Sequence, residues 1–180
     1  MAMTHAAFPA HLIDSARALL DACRAAGWML ATAESCTGGM IAGCLTEIPG
    51  SSDVVDRGFV TYSNEAKTGM LDVPADLIET HGAVSEEVAR SMAAGALAHS
   101  RAQVSIAVTG VAGPSGGTDA KPVGLVHLAC ARGDGLVRHR EIRLGDIGRG
   151  PIRVATVVEA IDLAQEVIGL ATPAAGERPG

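Results

Sequence analysis

The sequence is poor in aromatic residues, with one Trp, one Tyr and two Phe among 180 residues. Hydrophobic residues nevertheless make up 48% of the chain, so its core has to be built from Ala, Val, Leu and Ile. Small aliphatic cores are typical of helices packed on a β-sheet. The length suits one domain with a full hydrophobic core and is short for two.

Neither a long basic run nor a long apolar run is present. Because the formal net charge is −6 and no basic residues cluster, we expect no direct nucleic-acid partner. No apolar stretch approaches the length of a membrane span, and the N-terminal residues lack the charged and apolar regions of a signal peptide. We therefore expect a cytoplasmic protein that makes no contact with a membrane.

Cysteine and lysine are both used sparingly. The four cysteines form no CxxC or CxxxH pair, which argues against a zinc site and a disulfide framework, and we expect neither metal nor cofactor. Most of the cysteines are expected to be small buried hydrophobic residues. Cys36 is the exception, because a helix N-terminus can lower the pKa of a thiol. The only lysines are Lys67 and Lys121.

An abrupt change from apolar to polar and glycine residues marks residues 28–43. The pattern predicts a strand over 28–33, a turn, and a helix over 40–48. Backbone N–H groups in the first turn of such a helix are unpaired and can bind an anion beyond the end of the strand. The turn also carries a hydroxyl, Ser35, suited to nucleophilic chemistry. A simple helix cap made by Ser35 or Thr37 is the alternative that the sequence leaves open.

The rest of the chain alternates helical and strand patterns. Helices are predicted over 10–26, from a cap at Asn64, and over 74–80, 85–100 and 151–170; strands are predicted over 57–63, 103–109, 123–131 and 136–144. The last two strands form a hairpin across an Asp-Gly turn. We predict a single-domain three-layer α/β/α sandwich whose mixed, mainly parallel sheet ends in an antiparallel hairpin. Residues 1–171 are assigned to this domain and 172–180 to a flexible tail.

Three loops follow predicted strands, at residues 34–39, 62–67 and 109–121. In open α/β sheets a ligand binds at the carboxyl edge, so these loops are expected to converge on one site. The third loop is rich in glycine, yet it matches neither the dinucleotide-binding nor the phosphate-loop motif.

A serine nucleophile in these loops needs a base, and none of the six histidines lies in them. His81 and His127 would reach the site only by tertiary packing. Lys67 is the better candidate, because a helix N-terminus and partial burial both favour its neutral form. Lys67 would take the proton of Ser35 directly or through the Tyr62 hydroxyl, and N–H groups of residues 37–39 would hold the oxyanion.

The same loops carry a resemblance to a known family. The chain resembles the C-terminal-domain family of the competence/damage-inducible protein CinA in these segments: AESCTGG at 33–39, PGSS at 49–52, VTYSNEAK at 60–67, HGAVSEEVA at 81–89, TGVAGPSGGT at 109–118 and KPVG at 121–124. Stand-alone members of that family are nicotinamide mononucleotide deamidases. The resemblance implies a metal-free amidohydrolase of pyridine nucleotide salvage, with Ser35 as nucleophile and Lys67 and Tyr62 as its activating partners.

A mononucleotide substrate offers a phosphate and ribose hydroxyls to glycine-rich N–H groups. Glu34 is expected to orient Lys67 or Tyr62, or to pair with a cation. The family pattern places an Arg directly after a Gly-Asp pair, whereas here Ile147-Gly148-Arg149 follows, so Arg149 is expected to take its place. The expected substrate-binding residues are Glu34, Thr37, Gly38, Gly39, Asn64, Thr109, Gly110, Gly113, Gly116, Gly117, Thr118, Lys121 and Arg149.

Several alternatives stay open at this point. Cys36 could be the nucleophile, although its side chain should lie on the opposite face from Ser35. The domain could hydrolyse another amide on a phosphate-bearing scaffold, or be a non-catalytic nucleotide-binding or competence-related interaction module. The pyrophosphatase domain of full-length CinA proteins is not in this sequence, so we expect no activity of that kind. The resemblance also implies a homo-oligomer, with a dimer favoured.

Overall fold

Five strands form one mixed sheet in the computed structural model, which describes residues 7–169. The strands are β1 Leu30–Glu34, β2 Val55–Val60, β3 Val104–Gly110, β4 Leu125–Arg132 and β5 Val137–Arg143, in the spatial order β2-β1-β3-β4-β5. β1 pairs in parallel with β2 and β3, whereas β4 pairs antiparallel with β3 and β5. The sheet therefore begins parallel and ends in the predicted hairpin. The predicted tail, residues 172–180, lies outside the described residues.

Six α-helices of residues 7–169 cover both faces of this sheet. They are α1 Ala10–Ala26, α2 Met40–Thr46, α3 Asn64–Leu71, α4 Ala75–His81, α5 Glu86–Ala98 and α6 Arg149–Gly169. Helices α1, α2 and α6 bury their apolar residues in one core, and α3, α4 and α5 bury theirs in a second core on the opposite face. The three-layer α/β/α sandwich is confirmed, because a sheet with two apolar faces needs helices on both. None of the helices among residues 7–169 has the length and apolar character needed to cross a membrane.

The starts of α3 and α6 differ from the prediction. Helix α3 is capped by Ser63, whose hydroxyl accepts a hydrogen bond from the Ala66 N–H at 3.0 Å, so Asn64 is the first helical residue and the predicted Asn64 cap is wrong. Ser and Asn are equally good caps, which is why the pattern did not choose between them. Helix α6 starts at Arg149 rather than at Pro151, because proline is tolerated in the first turn of a helix.

Glu34 and Ser35, which are adjacent at the end of β1, lie on opposite faces of the sheet. Leu30 lies in the core under α1, α2 and α6, and Ala33 lies in the core under α3, α4 and α5. Side chains along a strand alternate between faces, so Glu34 belongs to the α2 side and Ser35 to the α3 side. This alternation determines which partners each of the two residues meets.

Candidate active site

Ser35 meets the one buried lysine of the described chain. The Lys67 side chain comes from α3, is only 1% exposed, and places its Nζ 3.1 Å from Ser35 Oγ. The same Nζ donates to the Thr61 carbonyl oxygen at 2.8 Å. Burial lowers the pKa of Lys67, and its side chain bonds to Ser35 and Thr61 without a salt bridge to a carboxylate of residues 7–169. A neutral amine held against a hydroxyl is suited to take the proton of that hydroxyl.

Glu34 has a different role from the one predicted for it. Its carboxylate is fully buried and accepts four hydrogen bonds. The donors are Thr37 Oγ1 at 2.6 Å, Gly39 N at 3.1 Å and Ile41 N at 3.0 Å on Oε2, and Ala42 N at 2.9 Å on Oε1. Glu34 thus caps α2 from inside the protein, where negative charge is favourable. The prediction that it orients Lys67 or Tyr62 is wrong.

Some of the backbone N–H groups after Ser35 donate hydrogen bonds to acceptors in or beside the same turn. Gly38 N donates to the Ser35 carbonyl oxygen at 3.0 Å, Gly39 N donates to Glu34, and Met40 N donates to the Thr37 carbonyl oxygen at 3.2 Å. Among residues 36–40, only Cys36 N and Thr37 N have no acceptor in another described residue. Unpaired backbone N–H groups are rare in proteins. The predicted oxyanion donors are corrected accordingly: Gly38 and Gly39 are excluded, Thr37 stays, and Cys36 is added.

A cleft of about 260 Å³ opens above Ser35. It is lined by Ser35, Cys36, Tyr62, Val84, Gly110, Val111, Ala112, Gly113, Ser115, Gly116 and Arg149. The structure therefore brings the predicted Gly110, Gly113 and Gly116 together with three predicted residues from other parts of the chain, Ser35, Tyr62 and Arg149. The aliphatic lining residues and Ser115 were not predicted, since nothing in the sequence separates them from packing residues.

Arg149 is the one charged residue in the lining of this cleft. Its Nη2 donates to the Tyr62 hydroxyl at 2.7 Å and its Nη1 donates to the Gly113 carbonyl oxygen at 2.8 Å. Tyr62 is 58% exposed, and its hydroxyl bonds to Arg149 rather than to Ser35 or Lys67. The lysine therefore contacts the serine directly, without the tyrosine as an intermediary. Both partners of Arg149 are neutral, so its positive charge is available to an anion.

The other predicted binding residues lie elsewhere. Thr37, Gly38 and Gly39 belong to the turn that Glu34 caps, and Thr109 is buried with its hydroxyl donating to the Ala83 carbonyl oxygen at 2.8 Å. Thr118 and Lys121 bond to each other within their loop, and Lys121 Nζ donates to the His81 carbonyl oxygen. Gly117 packs against Val123, and Asn64 lines a separate groove between α3 and α4. None of these residues lines the cleft above Ser35, although the Thr37 N–H belongs to the peptide that joins Thr37 to Cys36, and Cys36 does line it.

Cys36 is not an activated thiol. It lies in the core under α1, α2 and α6, on the opposite side of the sheet from Lys67, as the strand alternation predicted. Burial raises the pKa of its thiol to about 11, so the expected lowering by the helix N-terminus is wrong. The desolvation of the thiolate outweighs the small attraction of the helix end.

Arg153 contacts the turn that follows Ser35, and this contact was not predicted from the sequence. Its Nε donates to the Cys36 carbonyl oxygen at 3.1 Å and its Nη2 donates to the Thr37 carbonyl oxygen at 2.9 Å. An arginine near the start of a helix is unfavourable with respect to the helix dipole, which is the signal that singled out Lys67 in α3. The start of α6 carries the same signal, at Arg149 and Arg153.

The histidines take part in other contacts. His81 pairs with Glu87, and His127 stacks on His139 with 2.9 Å between their ring nitrogens. Neither His81 nor His127 lines the cleft. Within residues 7–169, no three His, Cys, Asp or Glu side chains are grouped to hold a metal ion.

The fold and the site define a class of protein: an α/β sandwich with a serine and a buried lysine at the carboxyl edge of its sheet. Residues 13–168 match the family model of the CinA C-terminal domain. The chain is 53% identical to the solved structure of the competence/damage inducible protein CihA from Agrobacterium tumefaciens, with a TM-score of 0.88 over 91% of this chain and 99% of that one. A CinA superfamily protein from Escherichia coli is 32% identical, with a TM-score of 0.83 over 93% of each chain. The chain belongs to the CinA C-terminal domain family.

Curated relatives are longer than the matched region. A CinA-like protein from Parasynechococcus marenigrum is 53% identical over 137 residues, which cover 76% of this chain and 32% of that protein. A putative competence-damage inducible protein from Symbiobacterium thermophilum is 51% identical over 135 residues, covering 75% of this chain and 29% of that protein. The chain thus spans about a third of the length of these relatives.

Proposed function

We propose that the chain is an amidohydrolase that converts nicotinamide mononucleotide and water to nicotinate mononucleotide and ammonia. The observation that carries the proposal is the buried Lys67 Nζ at 3.1 Å from Ser35 Oγ. A lysine without a carboxylate partner is costly to bury, and its neutral form is the one that a serine nucleophile needs. Membership of the CinA C-terminal domain family is compatible with this activity.

The reaction begins when Lys67 takes the hydroxyl proton of Ser35 and Ser35 Oγ attacks the carboxamide carbon. The negative charge that develops on the carbonyl oxygen accepts hydrogen bonds from Cys36 N–H and Thr37 N–H. As the tetrahedral intermediate collapses, the C–N bond breaks and Lys67 returns the proton to the leaving nitrogen, which departs as ammonia. A water molecule then attacks the acyl ester with Lys67 as base, releasing the carboxylate and restoring Ser35.

The cleft also suits the rest of this substrate. Its lining holds no carboxylate, and its single charge is the cation of Arg149, so a phosphate dianion is favoured there. The backbone of Gly113 and Gly116 allows close approach of a phosphate or ribose. The exposed ring of Tyr62 offers an aromatic face to a cationic pyridinium ring.

A non-catalytic binding module is the competing function. The names of the relatives from Symbiobacterium thermophilum and Agrobacterium tumefaciens mention competence and damage and describe no chemistry. A binding module has no need for a buried lysine against a serine, because that lysine destabilises the fold. The Ser35–Lys67 contact therefore favours the enzyme.

Ammonia release from nicotinamide mononucleotide, nicotinamide riboside and nicotinamide tests the proposal. We expect turnover of the mononucleotide and little from the other two, because only the mononucleotide carries a phosphate for Arg149. A folded protein that releases ammonia from none of the three would overturn the proposed function. Equal turnover of the mononucleotide and the riboside would overturn the role given to Arg149.

A further inference from the structure

Arg153 holds two consecutive peptide groups of the turn that follows Ser35. Its guanidinium donates to the carbonyl oxygen of Cys36 and to that of Thr37, at 3.1 and 2.9 Å. The side chain is half-buried, and it forms no ion pair with a carboxylate of residues 7–169. Its charge is thus directed at the backbone oxygens of this turn.

These contacts bear on the backbone N–H groups assigned to the oxyanion. In a trans peptide the C=O and N–H bonds point in opposite directions. The carbonyl of Cys36 points to Arg153, so the N–H of the same peptide, that of Thr37, points away from α6. Ser35 lies on that other side of the sheet, against Lys67. Thr37 N is also one of the two N–H groups in the turn that have no acceptor in another described residue.

A guanidinium on the carbonyl also changes the strength of the donor. Hydrogen bonds at one end of a peptide polarise it and strengthen the bond at the other end. A preorganised donor is worth more in catalysis than one that has to reorient as charge develops. Both effects act on the oxyanion, since Arg153 donates hydrogen bonds to the turn and none to Ser35 or Lys67.

We propose that Arg153 is a positioning residue, which fixes and polarises the Cys36–Thr37 peptide so that the Thr37 N–H stabilises the oxyanion. The inference rests on the proposed amidohydrolase function. A purely structural role would instead tether α6 to the turn, and its loss would lower the stability of the fold without selecting one step of the reaction.

The test compares Arg153→Met and Arg153→Lys with Arg138→Met, which removes an exposed arginine of β5 away from the site. We expect kcat on nicotinamide mononucleotide to fall by about 100-fold in Arg153→Met, as for loss of one oxyanion donor, with KM changed less than about threefold. Arg153→Lys keeps the charge but cannot bridge two carbonyls as a guanidinium does, so it should recover part of the loss. Arg138→Met should match the wild type.

A tetrahedral probe separates positioning from tethering. The affinity of 3-pyridineboronic acid, which forms a tetrahedral adduct with a serine oxygen, should fall with kcat across the variants, whereas the affinity of nicotinate mononucleotide should hold. The positioning role is overturned if Arg153→Met keeps the wild-type kcat and the wild-type affinity for the boronic acid. It is also overturned if Arg153→Met weakens the binding of the boronic acid and of nicotinate mononucleotide to the same extent. The proposed function stands in both cases. If Arg153→Met does not fold, Arg153→Lys decides in the same way. A wild-type protein that neither releases ammonia nor binds the boronic acid would overturn the proposed function itself, and this inference with it.

Discussion

Replacing Glu34 by Gln tests the internal cap of α2. The carboxylate accepts three hydrogen bonds on Oε2 and one on Oε1. Glutamine can keep its oxygen at the position of Oε2, but its NH2 group then faces the Ala42 N–H, donor against donor. One charge-assisted bond is lost, a buried N–H is left unpaired, and the three remaining bonds become neutral. We expect the free energy of unfolding to fall by about 2–4 kcal/mol, a large part of the roughly 5–15 kcal/mol of a typical domain.

Urea unfolding followed by the fluorescence of Trp28, the single tryptophan, measures this loss. The matched control is Glu47→Gln, because Glu47 is exposed and directly follows α2. The control should change stability by no more than about 0.5 kcal/mol. A loss in Glu34→Gln as small as that of the control, with the same dependence on urea, would refute the reasoning that four donors depend on this carboxylate.

Three further predictions follow from the same contacts. Because burial lowers the pKa of Lys67, kcat/KM should rise with pH and level off below the ordinary pKa of a lysine, and Lys67→Arg should be inactive at every pH. A wild-type kcat/KM that keeps rising up to the ordinary lysine pKa of about 10.4 would contradict this. Because the Cys36 thiol is buried with its pKa raised to about 11, neither iodoacetamide at neutral pH nor Cys36→Ala should abolish turnover. Loss of turnover in a folded Cys36→Ala protein would instead identify Cys36 as the nucleophile. In α5, a Cβ at Gly95 would clash with the Leu71 carbonyl, so Gly95→Ala should lower the free energy of unfolding by about 3 kcal/mol. In α3, a Cβ at Gly69 would meet open space, so Gly69→Ala should raise the free energy of unfolding by about 0.5–1 kcal/mol. Equal effects of the two substitutions in urea unfolding would contradict the packing.

Much of the fold could be predicted because its signals are local. The apolar spacing of α1 and the glycine at position 27, which has φ of 68°, placed both ends of that helix. The continuous apolar centre of β3 predicted a strand covered on both faces. Predicted strand ends were shifted by a few residues, as at β2, since pairing with a neighbour decides where a strand stops.

The candidate site was predictable where one residue type implied one chemistry. A hydroxyl at the end of a strand needs a base, and a lysine at the start of a helix was the best candidate in the loops. The structure brings Ser35 and Lys67 together. Glu34 was misassigned because a carboxylate beside a nucleophile has two possible faces, and the alternation of β1 turned it towards α2. Arg153 lies near the start of α6, as Lys67 does in α3, but its partners are backbone oxygens, which the sequence does not identify, and so it was missed.

Ammonia release from nicotinamide mononucleotide by the wild type, Ser35→Ala and Lys67→Arg tests the central claim most directly, with Ser52→Ala as an exposed serine control. We predict turnover by the wild type and the control, and loss of at least about 1,000-fold in the other two, because the nucleophile and its base act as a unit. All variants should still bind nicotinate mononucleotide. Turnover by a folded Ser35→Ala protein at a rate near that of the wild type would contradict the account.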